Sequence, residues 1–358
     1  MKKWEENIRK VTPYVPGEQP KRTDVIKLNT NENPYPPSPK VTEALRQMTT
    51  EPLRKYPDPE ARMLVEAIAG IEGFAPEQIF VGVGSDDVLA MIFLTFFNSS
   101  KPILFPDITY SFYDVWADML RIPYECQPLN TEFEIDCRDY YKENGGVIFP
   151  NPNAPTGALL DLDKIEDILV HNPDVIVVVD EAYIDFGGMT CTGLLKKYEN
   201  LIVVKTFSKS RSMAGMRIGY AIAGEELIRY LNDVKYSFNS YTMNQTAILL
   251  VPAAAEDQTY FEETRQKIIA TREHTKRELA EMGFVFQDSQ ANFLFVTHES
   301  IPAAELFAAL KEQGIYVRYF NKPRIDNYLR ITIGTDSEME RLCTFLKSYI
   351  KGETHGVL

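Results

Sequence analysis

Short apolar runs alternate with longer amphipathic stretches through the first two thirds of the chain. The runs fall at 79–83, 102–105, 147–149, 175–179, 201–204 and 218–223, and helix-like stretches lie between them at 86–97, 111–121 and 161–171. The run at 175–179 is β-branched and apolar on both faces, as in a strand covered by helices on either side. This alternation predicts an α/β fold, a mostly parallel sheet sandwiched by helices. Beyond about residue 240 the texture changes. Helical stretches at 244–255 and 257–282 precede short strands at 284–287 and 292–296, a helix at 303–313, and strands at 315–318 and 328–333. That reads as a smaller α+β domain. The first forty residues, with TPYVPGEQP and LNTNENPYPPSP, are too rich in Pro and Asn for a packed helix. A helix is predicted at 41–48, and Asp58-Pro59 is a predicted helix start. The expected organisation is an arm over 1–40, a large domain over 41–243 and a small one over 244–358.

Composition narrows the function classes. Of 358 residues, 38 are Lys or Arg and 51 Asp or Glu, a net charge of −13, and no basic stripe offsets it. Nucleic acid and anionic membrane are therefore poor partners. The four cysteines form no CxxC pair, MKKWEENIRK lacks an apolar signal core, and no apolar run spans a bilayer. A cytoplasmic protein with reduced thiols is expected.

Four segments carry candidate chemistry. In LIVVKTFSKSRSMAGMRIGY, Lys209 sits just past a strand's C-terminal end, where open α/β sheets place ligands. Its amine can form a Schiff base with a carbonyl, and Thr206, Ser208 and Arg217 suit a phosphate. In DVIVVVDEAYIDF a strand delivers Asp180 to the same edge, with Tyr183 one turn on. FPNPNAPTG is a rigid turn with Asn151 and Asn153 as amide donors, and FVGVGSDDVL runs a strand through Gly82 and Gly84 into a helix N-terminus at Ser85 and Asp86. Alone, each is ordinary: a solvated lysine, a capping aspartate, a turn, an acidic helix start.

Together, in this order and strand context, they resemble the fold type I pyridoxal-phosphate aminotransferases over nearly the whole chain. The strings LNTNENPYPPSP, KYPDPE, SQANFLFV, GIYVRYFNK and YLRITIGT are most similar to the histidinol-phosphate aminotransferase branch. The resemblance implies pyridoxal 5′-phosphate held covalently by Lys209. Asp180 would pair with its ring nitrogen, Tyr183 would bond its phenolic oxygen, and Tyr110 would stack on the ring. Ser85, the Asp86 amide, Thr206 or Ser208, and Arg217 would hold its phosphate. It further implies a homodimer in which Tyr56 reaches the partner's phosphate site. Arg330 would take the substrate anion, helped by Arg318 and Tyr14, with Glu32 or Asn33 lining the pocket. Two positions depart from the pattern. Where many relatives carry an Asn before Pro-Thr-Gly, contacting the ring oxygen, this chain has Ala154, and Asn153 is the expected substitute. The loop before Tyr110, FPDITY, is longer than the usual Pro-x-Tyr. The implied activity is ping-pong transfer of an amino group from histidinol phosphate to 2-oxoglutarate. A threonine-phosphate decarboxylase and an aromatic or broad-range aminotransferase are the alternatives on the same scaffold. A cofactor-binding regulator would need a DNA-binding module, and the sequence shows none.

Overall fold

The apolar runs of the first two thirds become strands of one seven-stranded sheet. The computed structural model describes residues 2–22 and 24–352. After an extended arm come β1 (Ile26–Lys27), α1 (Pro39–Gln47) and α2 (Arg62–Glu72). The sheet region runs β2 (Ile79–Val83), α3 (Ser85–Phe96), β3 (Ile103–Pro106), α4 (Tyr113–Leu120), β4 (Tyr124–Gln127), β5 (Val147–Pro150), α5 (Leu162–His171), β6 (Val177–Asp180), β7 (Leu201–Thr206) and β8 (Ile218–Ala223). Helices α6 (Glu225–Phe238), α7 (Gln245–Glu256) and α8 (Gln258–Glu281) follow. The chain ends in β9 (Phe284–Phe286), β10 (Phe293–His298), α9 (Ala303–Glu312), β11 (Ile315–Tyr316), β12 (Arg318–Tyr319), β13 (Leu329–Thr332) and α10 (Asp336–Ile350).

Strand order in the large sheet is β2-β8-β7-β6-β5-β3-β4. Only β8 runs against its neighbours; the other pairings, β7 to β6, β6 to β5, β5 to β3 and β3 to β4, are parallel. The residues of β5, β6, β7 and β8 are buried throughout, because helices cover both faces. The ends of β2, β5, β6 and β7 therefore meet at one edge, where Pro150 is in register with Asp180 and Asp180 with Val204. The small domain is an antiparallel sheet, β12-β13-β10-β9, packed on α8, α9 and α10. Strand β1 of the arm pairs in parallel with β11.

Several expectations need correcting. Helix α2 starts at Arg62, not Pro59: the Asp58 carboxylate accepts the N–H groups of Glu60 and Arg62 in a turn, and Ala61 takes a left-handed φ of 49°. The boundary at residue 244 also moves, because α7 packs on α1 and α2 and buries Ile248, Leu250 and Val251 in the large-domain core. Strand β4 and helices α6 and α10 have no counterpart among the predicted elements. Three of the four residues of β4, an edge strand, are exposed, and α6 and α10 carry charged faces in place of an apolar run.

Candidate active site

The sheet edge opens into a cavity of about 240 Å³ lined by Ser85, Asp86, Tyr110, Ala154, Asp180, Tyr183, Ser208, Lys209 and Arg217, with Thr30 and Glu32 from the arm. Each large-domain side chain arrives from a strand end. Lys209 follows β7, and its Nζ donates to the Thr30 carbonyl (3.2 Å) and lies 5.6 Å from the Tyr183 ring centroid. Its loop is held from two sides. Asn33 Nδ2 donates to the carbonyls of Lys209 (3.0 Å) and Ser210 (3.1 Å), and the Ser210 hydroxyl donates to Asp185.

Asp180 ends β6 and is 5% exposed. Its carboxylate accepts from Tyr113 Oη (3.1 Å) and the Ala182 N–H (3.2 Å), and no Lys, Arg or His among the described residues pairs with it. Burial pushes its pKa up to about 7 despite those two donors, and the charges of Asp86 and Glu181 add to the rise.

The wall formed by α3 depends on glycine. Gly84 has φ 84°, and a Cβ there would collide with the Arg217 guanidinium. A Cβ on Gly219 of β8 would strike the Ser85 nitrogen, so the sheet sits directly against the helix start. Ser85 and Asp86 of that first turn and Arg217, itself left-handed (φ 55°), line the cavity, and a first turn leaves its N–H groups without helical partners. Arg217 Nη2 pairs with Asp86 (3.1 Å), and Tyr110 Oη donates to the same carboxylate (2.6 Å). Burial, then Asp86, raises the Tyr110 phenol far above its ordinary range, so it stays protonated.

The small domain holds two guanidiniums near the arm, outside the lining of that cavity. Arg318 and Arg330 are directly opposed across β12 and β13. Arg330 Nη2 donates to the Asn29 carbonyl (3.0 Å), its Cζ lies 5.4 Å and 5.7 Å from the Phe293 and Phe320 ring centroids, and its buried Nε has no partner among the described residues. Burial, and then Arg318, lower its pKa. A second cavity, of about 720 Å³, lies on this side and is lined by Tyr14, Thr109, Pro155, Arg318, Phe320 and Lys322. Tyr14 stacks on Phe112 there (4.3 Å between centroids), and Arg318 reaches the Val15 carbonyl (3.4 Å).

Three residues, Asn153, Thr206 and Asn33, sit differently from their expected roles. Asn153 is buried inside its own turn, donating to the Ile108 carbonyl and Thr156 Oγ1 (3.0 Å each), while Ala154 lines the cavity. The Thr206 hydroxyl donates to the Ile218 carbonyl (3.2 Å), so Ser208 is the hydroxyl at the cavity. Asn33 braces the Lys209 loop, leaving Glu32, tied to Lys27, at the wall. Tyr56 is 82% exposed and stacks on Tyr241, away from the cavity of its own chain. Sequence reasoning missed Asn29, Thr30 and Asn31, which touch Arg330, Lys209 and Tyr183 in turn. It also missed Tyr113, whose hydroxyl holds Asp180. The polar run NTNEN was the available signal for the first three; nothing local marks Tyr113.

An α/β sheet with lysine, aspartate and tyrosine at one edge and a helix start beside them is the arrangement of the aminotransferases. The model of the family "Aminotransferase class I and II" matches residues 23–346, and the chain belongs to that family. Among its relatives, histidinol-phosphate aminotransferases are 54% identical over 353 residues in Acinetobacter baumannii (strain SDF) and 50% over 350 residues in Lactococcus lactis subsp. cremoris (strain MG1363), each match covering 98% of both chains. The fold matches the solved histidinol-phosphate aminotransferases of Clostridium acetobutylicum (TM-score 0.84, 23% identity, 92% of this chain and 100% of that one) and Sinorhizobium meliloti (0.82, 24%, 92% of each). The latter was solved in complex with pyridoxal 5′-phosphate.

Proposed function

We propose that the site holds pyridoxal 5′-phosphate and transfers the amino group of histidinol phosphate to 2-oxoglutarate. The donor set fits the cofactor. Asp180 is a buried carboxylate without a cationic partner among the described residues, as a protonated ring nitrogen requires. The Ser85 helix start, Ser208 and Arg217 suit a phosphate monoester, and the Lys209 amine is within the same cavity. When bound, the cofactor supplies an electron sink for charge that develops at the substrate α-carbon.

The chain's residues do the rest. Asp180 would accept from a protonated ring nitrogen and so keep the ring electron-poor. Lys209 Nζ would take the proton from the donor's α-carbon as general base; held in the cavity, it needs no bimolecular encounter. Tyr110, kept protonated, covers one side of the cavity beside Asp86. The keto product leaves and 2-oxoglutarate enters the same pocket, which gives ping-pong kinetics.

The observation that carries the substrate reading is the cross-strand pair Arg318–Arg330. Like charges directly opposed destabilise a sheet unless an anion lies between them. A phosphate monoester and the distal carboxylate of 2-oxoglutarate both meet that need through paired hydrogen bonds. The relatives' names favour this reading over a decarboxylase or a broad-range aminotransferase. The test is a donor panel with 2-oxoglutarate, following keto product. Histidinol phosphate should turn over best, and Lys209→Ala should abolish it. Preference for phenylalanine, or carbon dioxide release from O-phosphothreonine, would overturn the assignment.

The active unit is a homodimer on this reading. Tyr56 is exposed and stacks on Tyr241 (4.7 Å between centroids) at the surface of its own chain. Tyr56 would cross from it to the partner's phosphate.

A further inference from the structure

We infer that Asn31 is a positioning residue that sets the direction of the Tyr183 hydroxyl. Asn31 is 1% exposed and left-handed, with φ 55°. Thr332 Oγ1 accepts from the Asn31 backbone N–H (3.0 Å) and donates its one hydrogen to Asn31 Oδ1 (3.0 Å). That contact fixes which end of the amide is which. The Nδ2 end faces Tyr183 and donates to its Oη at 3.0 Å. Asn292 Nδ2 clamps the Asn31 carbonyl (3.1 Å), so the residue is held from three sides. Tyr183 Oη is therefore an acceptor toward Asn31, and its own hydrogen must point elsewhere. The ring lines the cavity beside Lys209, and no other partner of Oη occurs among the described residues. The phenol thus presents its O–H to an anionic oxygen in the cavity. A donor that itself accepts a hydrogen bond gives the stronger one.

This rests on the cofactor reading above, in which that oxygen is the cofactor's phenolate. Ala154 has no donor to offer it, and the Asn153 amide is spent in its turn. The relay Thr332–Asn31–Tyr183 runs from the small domain through the arm to the cofactor pocket, so both act on the oxygen without touching it.

The test uses cofactor-loaded enzyme and its visible absorption as a function of pH. Asn31→Gly keeps the left-handed backbone and removes the amide. Thr332→Val keeps the volume and removes the orienting hydroxyl. A weaker phenol donor leaves the phenolate more basic, so the neighbouring lysine–cofactor nitrogen keeps its proton to higher pH. The midpoint should rise by about half to one pH unit in Asn31→Gly, the scale of one neutral hydrogen bond. Thr332→Val should shift it the same way by less, and decides the matter alone if Asn31→Gly does not fold. Adding Asn31→Gly to Tyr183→Phe should cause no further shift. An unchanged midpoint, or a shift that adds fully to that of Tyr183→Phe, overturns the inference while leaving the cofactor reading intact. Absence of any visible band in the loaded wild type removes the cofactor reading and this inference with it.

Discussion

Asp180 holds an uncompensated charge in the interior, and that has a consequence for stability. Its pKa is about 7 in the folded chain against 3.8 as the ordinary value, so the folded state binds the extra proton across that window. The stability of the cofactor-free protein should fall as pH rises through it, by an amount on the order of 4 kcal/mol at full ionisation. The penalty is absent below the ordinary value and complete above the folded one. Asp180→Asn should therefore unfold at nearly the same denaturant concentration as wild type near about pH 4, and at a higher one near about pH 8. A difference that does not grow with pH would contradict the buried-charge account. Lys209, Asp180 and Tyr183 were legible in the sequence because each stands at or just beyond the end of an apolar run. The amides were not. Whether Asn31, Asn33 or Asn153 reaches the cavity depends on backbone turns, and of the three only Asn31 bonds the Tyr183 hydroxyl.

At the level of elements, the end of the cavity proposed to take the phosphate is a contact between β8 and the start of α3. Gly219 makes that contact possible, since any side chain there would meet the Ser85 and Gly84 backbone. Gly219→Ala should push the helix start away and weaken cofactor binding tenfold or more, about 1.4 kcal/mol, in a fluorescence or absorbance titration. Gly215→Ala, where nothing lies within 4 Å of the added carbon, is the control and should bind normally. Equal affinities would remove the helix start from the binding site. The strands of this edge were readable from their apolar runs. The helices α6 and α10 were not, because an amphipathic helix on a charged background has no run to mark it. The strand pairing of Arg318 with Arg330 was also invisible, since twelve positions separate them and only the turn between β12 and β13 brings them together.

Across the whole molecule, the arm joins the two domains at the site. Its residues 29–33 touch Arg330, Tyr183 and Lys209, while Arg272 of α8 binds the Phe186 carbonyl of the large domain and the Ala291 carbonyl of the small one (2.9 Å each). The 1–40 segment read from sequence as an arm thus supplies Thr30 and Glu32 to the cavity wall, and its Pro and Asn content reflects a path that must turn between domains. The proposed dimer gives a further test. Lys209→Ala and Tyr56→Ala subunits damage different halves of one site, so mixing them after reversible dissociation should restore activity to about a quarter of wild type or less, through the one intact site of each hybrid. No recovery, with hybrids demonstrated by mass, would place Tyr56 outside the partner's site.

The central claim is that the ε-amine of residue 209 carries the cofactor. Borohydride reduction of enzyme incubated with pyridoxal 5′-phosphate, followed by peptide mass mapping, tests it directly. The account predicts a single added mass, equal to the reduced cofactor, on the peptide that contains Lys209. An unmodified Lys209 peptide, or the same mass on a different lysine, would contradict it.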